Sequence, residues 1–340
     1  MPAAPDPTDP LDPRVRLTRW VGLTVGLAVI LVGLLMLFIM PTLKSGPRNL
    51  PLGVVADQGT THTLTASLEA QAPGAYHLRP LDSPAALDEA IRERTVVGGF
   101  DLSAPGTVRV AVASAGSTAI SGTVTATGSG IAQALHRDVV VEDVVALPPR
   151  DPIGAGVGGL AFPLVFGGIV PAVAFRSLLP GHRYLVLAGL VGFSLVGGFV
   201  VAAVLRWPFG SIEHSLWPVA GAVALGIAAL AVPLSALNDT FGPKGFTIAA
   251  MTMMFIGNPF AGIATSSVWL PAGVAAVGQL LPPGAAGTLV RSVAYFDGAG
   301  GLSSALTLSL WVLAGLVLYL VAPLLRGPRQ APKVAAAEAA

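Results

Sequence analysis

The sequence predicts a membrane all-α bundle of six transmembrane helices with an inserted extracytoplasmic α/β domain. Three observations carry that expectation. Only 11% of the 340 residues are charged and 53% are hydrophobic, whereas about a quarter of a typical soluble domain is charged. The charges gather at the N-terminus, between about residues 44 and 151, and at the C-terminus. Elsewhere, uncharged apolar tracts of about 20 residues recur, the length needed to cross the hydrocarbon layer.

Taken in order, residues 1–20 read as a cytoplasmic N-terminal segment. Residues 21–40 form the first span and contain no charge. The span is long for a signal peptide, and Pro41-Thr42-Leu43 offers no small-x-small cleavage site, so it reads as a retained anchor. Residues 41–153 form the extracytoplasmic domain. Its strands are expected at 52–56, 76–81, 96–100, 108–114 and 139–147, and its helices at 60–71, 85–94 and 119–137. Ser83 is the N-cap of the second helix and Pro84 its first position; Leu87 and Ile91 then share one face. Gly122, Gly128 and Gly130 weaken the third helix.

Residues 154–325 hold five further spans: 154–175, 184–205, 216–237, one beginning at 246, and 303–325. A re-entrant stretch is expected at about 257–301. It opens on Gly257, Asn258 and Pro259 and passes through Pro282, Pro283 and Gly284. It is too apolar for a free loop and too broken for one span, and irregular backbone at membrane depth needs protein or water to satisfy it. Short helices at 261–270, 272–281 and 285–295 would dip into the outer leaflet, with Gly287, Thr288 and Arg291 near the outer surface. The alternative is an amphipathic cap lying on the membrane. Residues 326–340 form a cytoplasmic tail.

Basic residues orient the chain. Arg14, Arg16 and Arg19, then Arg176 and Arg183, then Lys244, then Arg326, Arg329 and Lys333 all fall on one side if there are six spans. That side is the cytoplasm, so the protein is a multi-pass cell-membrane protein with both termini inside. Trp20, Trp207 and Trp217 sit at the expected interfaces.

The chemistry is sparse. There is no cysteine, which excludes disulfides, thiolate metal sites and cysteine nucleophiles. A net charge of +1 gives no argument for nucleic acid. No G-x-S-x-G, H-E-x-x-H or phosphate-cradling P-loop occurs. His62, His77 and His136 fall on different elements, and Glu89 and Glu93 have Arg92 and Arg94 beside them, so neither set reads as a catalytic or metal site. No cofactor is expected. The spans contain no ionisable residue, which argues against proton coupling. Gly22 and Gly26, and again Gly154 and Gly158, have the spacing that lets helices approach closely.

The short inside loop carries Arg176, Leu178, Leu179, His182 and Arg183. By itself it reads either as a positive-inside turn or as a docking surface. Three further segments carry a family resemblance: 49–55 just after the first span, 83–100 with Ala86, Ala90 and 96–100 (VVGGF), and 279–284 (QLLPPG) leading to 291–298 (RSVAYFDG). With these segments and this layout, the chain resembles the type-2 ABC transporter permeases, in the branch of the YhgE/Pip-like (phage infection protein) membrane proteins. The resemblance implies a permease subunit that forms a homo- or heterodimer in the lipid bilayer and pairs with a separate cytoplasmic ATPase. It implies that residues 176–183 are the loop that couples to that ATPase, and that residues 11–20 are an interfacial helix. The segment departs from the pattern in being short and in holding Asp12 and Pro13. On this reading the protein exports an apolar or amphipathic substrate and is not itself an enzyme. The alternative is a non-transport scaffold or envelope-assembly protein whose outer domain binds a partner.

Overall fold

The computed structural model describes residues 13–325. The expected N-terminal segment through residue 12 and the basic tail with Arg326, Arg329 and Lys333 lie outside the described residues. Helix α1 (Pro13–Leu43) is continuous. Proline is tolerated in a first turn because that turn's N–H groups have no helical partner. Residues 13–20 are therefore the opening of α1, not the separate interfacial helix that the resemblance implies.

The α/β domain contains β1 (Leu50–Val55), α2 (Gln58–Gln71), β2 (Tyr76–Pro80), α3 (Pro84–Arg92), β3 (Gly98–Asp101), β4 (Thr107–Val112), α4 (Thr118–Ala134) and β5 (Asp138–Asp143). The strands form one sheet in the order β2-β1-β3-β4-β5. β1 runs parallel to β2 and β3, and β4 parallel to β5; β3 and β4 are antiparallel. The parallel pairs need long crossovers, which the three helices supply. Each helix has a side-chain cap: Asp57 accepts from the Thr60 amide, Ser83 from Ala86 and Ser117 from Ile120.

Side chains alternate across the sheet. Leu50, Leu52, Val54, Val108 and Val110 face α2 and α4. Val55, Ala111 and Ala113 face α3, through Leu87, Ala90 and Ile91. Gly128 supports α4 rather than weakening it. A Cβ there would lie 2.3 Å from Val110 and 3.1 Å from Phe100, so glycine lets the helix seat on the sheet. Asp88 is held by Arg109 at 2.7 Å, and Arg109 also bonds Glu142 at 2.6 Å. The Arg109 guanidinium holds the Glu142 carboxyl below its ordinary range. Glu89 and Glu93 are exposed.

Among the described residues, five helices are long and apolar enough to cross a membrane, or six if one bent pair counts as a span. They are α1, α6 (Ala161–Leu178), α7 (Arg183–Arg206), α8 (Leu216–Thr252, extended by a π-turn Met253–Gly257) and α11 (Leu302–Leu325). The expected tract 154–175 divides. Gly154 is left-handed (φ 68), α5 (Ala155–Gly158) is one turn, and α6 follows. The Gly154/Gly158 pair is thus a turn rather than a packing stripe.

α8 is two limbs. At Gly242 the backbone takes φ 71, ψ −165, a region essentially reserved for glycine. A Cβ on Gly245 would lie 3.1 Å from the Leu237 carbonyl oxygen, whereas those positions would be about 12 Å apart along a straight helix. Phe246, Ala249 and Ala250 share a core with Ala231 and Leu234. The chain therefore doubles back, and limb 243–257 lies against limb 216–241.

The bent pair is α9 (Ala272–Leu280) and α10 (Pro282–Tyr295), which meet at 89°. Pro282 and Pro283 fall in the first turn of α10, where their missing N–H groups do no harm. No helix forms at 261–270. Gly262 is left-handed (φ 64), and only a 3₁₀ turn at Ser267–Trp269 interrupts the irregular chain. α10 is buried along most of its length, from Pro282 to Ser292. It is part of the bundle interior rather than a cap on its surface.

Candidate functional site

The bundle has two distinct ends. At one end it carries the α/β domain. Arg150 donates to the carbonyls of Trp207 and Pro208, Tyr295 to that of Ser211, and Ser215 to that of Ala294. Phe296 enters the α3-side core of the domain, and Trp269 packs on the opposite core. The domain is thus gripped on both sheet faces by segments before and after the bent pair. Asp151 is buried at this junction and accepts from the Ala155 and Gly156 amides at 2.7 and 2.8 Å. Burial pushes its carboxyl up, but the Ser211 hydroxyl and the amides of Gly156, Ala155 and Gly154 outweigh that and hold it below its ordinary value.

The opposite end collects the 176–183 loop, the Gly242 turn and the last part of α11. Arg176 forms an ion pair with Asp239 on α8. The Arg183 guanidinium donates to the Tyr319 carbonyl and lies over the Tyr319 ring at 4.7 Å. The Tyr319 hydroxyl returns the contact to the Arg183 carbonyl. Leu179 packs into the α6–α7–α8 core. Leu178 and His182 remain in the open, Leu178 at 76% exposure. The five loop residues singled out from sequence therefore divide. Arg176, Leu179 and Arg183 fix the loop to its own bundle, and Leu178 and His182 form its exposed tip. Asp239 and Tyr319 were not legible as partners. The one available signal was an acidic residue just beyond the end of an uncharged span.

Between the two ends lies the elbow of the bent pair. Gly257 packs on Pro283, where a Cβ would be 3.0 Å from the ring. A Cβ on Gly278 would be 1.8 Å from the Phe260 carbonyl oxygen, and one on Gly284 would be 2.1 Å from that of Gly278. Pro259 sits in the turn between the π-turn and Phe260, and Asn258 is buried beside it. Gly257, Asn258, Pro259, Pro282, Pro283 and Gly284 are thus brought into one knot of close backbone contacts.

Beside the knot, an apolar cleft of about 220 Å³ opens between the two limbs of α8 and α11; Leu230, Leu237, Met253, Leu281 and Trp311 line part of it. Its polar atoms are used elsewhere: Thr252 donates to Ile248 and the Trp311 indole to Leu280. No group of three or more His, Asp or Glu among the described residues could hold a metal ion. No family model, curated protein or solved structure matches the chain.

Proposed function

We propose that this protein is the permease subunit of an ABC-type exporter, with six spans and a re-entrant α9–α10 hairpin, served by a separate cytoplasmic ATPase. The observation that carries this reading is the exposed Leu178/His182 tip. It stands at the bundle end opposite the α/β domain, and ion-pair and ring contacts tie it to α8 and α11. A push on such a tip is transmitted to helices that border the apolar cleft. The cleft suits an apolar or amphipathic substrate. The contacts also support six crossings, because the chain doubles back at Gly242 and α9–α10 begins and ends near the α/β domain. A Cβ added at Gly22 or Gly26 of α1 would meet nothing within 4 Å, and both positions are exposed, which leaves room there for a second subunit.

Two experiments test this. Single cysteines at positions 92 and 180 are expected to react with an impermeant reagent from outside only at 92. The native chain has no cysteine, so the background is clean. Labelling at 180 would reverse the orientation and remove the coupling role. Next, a P-loop ATPase that co-purifies with the wild-type chain should bind Leu178→Asp/His182→Asp at least about tenfold more weakly, since a desolvated contact of this size contributes more than about 1.4 kcal/mol. Unchanged binding would end the loop assignment. Leu178 and His182 are the informative positions because changes at Arg176 or Arg183 would also loosen the bundle.

One observation favours a scaffold role instead. β5 is an edge strand, and Val139, Val140 and Val141 on it are 41–52% exposed. An open, apolar sheet edge is a template for strand addition by a partner.

A further inference from the structure

Two arginines from different parts of the chain converge where the α/β domain meets the bundle. Arg94 follows α3 and occupies the left-handed position after the helix (φ 60), where glycine is the default residue. Its Nη1 donates to the Ser292 hydroxyl at 3.1 Å, and its guanidinium lies 5.0 Å from the Phe296 ring centre. Its stem runs over Gly300, where a Cβ would come within 3.4 Å. Arg291 on α10, the neighbour of Ser292, is 7% exposed and donates from Nη2 to the Ile263 carbonyl at 2.5 Å.

Arg94 thus reaches the α10 residue next to Arg291, which places both arginines at one stretch of the seam. Among the described residues neither forms an ion pair; Asp297, the nearest acid in sequence, is exposed, and Asp151 is occupied by the α5 amides. Each guanidinium offers five N–H donors in a fixed fork, and among the described residues each makes a single hydrogen bond to protein. Holding a buried and a half-buried cation at one seam without a counter-charge is costly. An oxyanion removes that cost and matches the fork geometry. The Ser292 hydroxyl donates to the Ala299 carbonyl, so it accepts from Arg94 and fixes the guanidinium in place.

We propose that Arg94 and Arg291 form a binding site for a phosphate-bearing anion at the seam between the α/β domain and the bundle. The site stands apart from the transport reading, since it uses neither the loop tip nor the cleft. A lipid headgroup and a free phosphate present the same chemistry, and the test separates them.

The full chain is purified in a neutral, phosphate-free detergent, and its melting is followed by tryptophan fluorescence. Sodium phosphate is titrated against sodium chloride at constant ionic strength. Phosphatidylglycerol in mixed micelles is titrated separately. At least one probe should raise the wild-type Tm by several degrees through linkage. Arg94→Gln and Arg291→Lys should each need at least about tenfold more of that probe, because each loses charge-assisted hydrogen bonds. Arg92→Gln, on the exposed side of α3, should match wild type. A response to phosphate alone identifies a soluble anion, and a response to the lipid alone identifies a headgroup. The proposal fails if neither probe moves the wild-type Tm. It also fails if Arg94→Gln lowers Tm by the same amount at every probe concentration, the behaviour of a purely structural contact. Where an Arg291 variant does not fold, the half-buried Arg94 decides the outcome alone.

Discussion

Gly278→Ala is expected to abolish the folded bundle or to destabilise it by more than about 3 kcal/mol, beyond the usual range for overpacking. The added methyl would sit 1.8 Å from the Phe260 carbonyl oxygen. That oxygen belongs to backbone, so no side-chain rotation can relieve the clash. Moving α9 away would also separate Gln279 from the Ala261 carbonyl and from Thr288, to which it bonds at 3.2 and 2.8 Å. The effect is measured as a loss of monodisperse protein or a fall in Tm followed by tryptophan fluorescence, to which Trp311, bonded to the Leu280 carbonyl at the elbow, contributes. Gly273→Ala is the control on the same helix. A Cβ at Gly273 meets nothing within 4 Å, and alanine is the better helix former, so that variant should match or exceed wild-type stability. Equal behaviour of the two variants would show that the close approach does not govern the fold.

The second large effect is expected at the Arg176–Asp239 pair. The Asp239 side chain is 14% exposed and that of Arg176 34%. Arg176→Ala leaves a nearly buried carboxylate without its partner. Single truncations of fully buried pairs cost about 3–5 kcal/mol. Partial exposure of Arg176 lets water screen the charge and brings the expected cost to about 2 kcal/mol. Asp239→Asn should cost less, because the amide still accepts a hydrogen bond from Arg176. In Arg176→Ala/Asp239→Ala neither charge is left stranded, and the double variant should be more stable than the sum of the single losses predicts. A double-mutant cycle on denaturation in detergent reads the coupling. Additive losses would mean that the pair contributes nothing to fastening the loop.

The domain was largely legible in the sequence because its signals are local. Ser83-Pro84 announced the start of α3, and Leu87 and Ile91 its buried face, and both are present in the structure. The apolar tracts were legible for a similar reason, since about 20 uncharged residues suffice whatever lies beside them. The errors arose where distant chain segments meet. Gly128 looked like a helix breaker because nothing near it in sequence reveals the β4 side chain it must clear. Residues 261–270 looked helical from composition, yet Gly262 and the contacts of Trp269 with the α/β domain hold them irregular. Arg291, expected near the outer membrane surface, is buried, and no local signal points to the Ile263 carbonyl that it binds. The loop 176–183 was visible as basic and leucine-bearing. Which of its residues turn inward depended on Asp239 and Tyr319, far along the chain.

The sequence by itself determined that apolar helices of membrane-spanning length precede and follow a small α/β domain along the chain, because hydrophobic length and local capping are properties of short segments. The tertiary structure alone decided that the turn expected between the span 216–237 and the one beginning at 246 is made at Gly242, that the bent pair is buried in the bundle, and that Phe296 and Trp269 hold the domain from both sides. It alone decided that Leu178 and His182, rather than the arginines beside them, form the exposed tip. Each of these outcomes depends on which backbone oxygen, ring or charge arrives from a remote segment, and periodicity and composition carry no record of that.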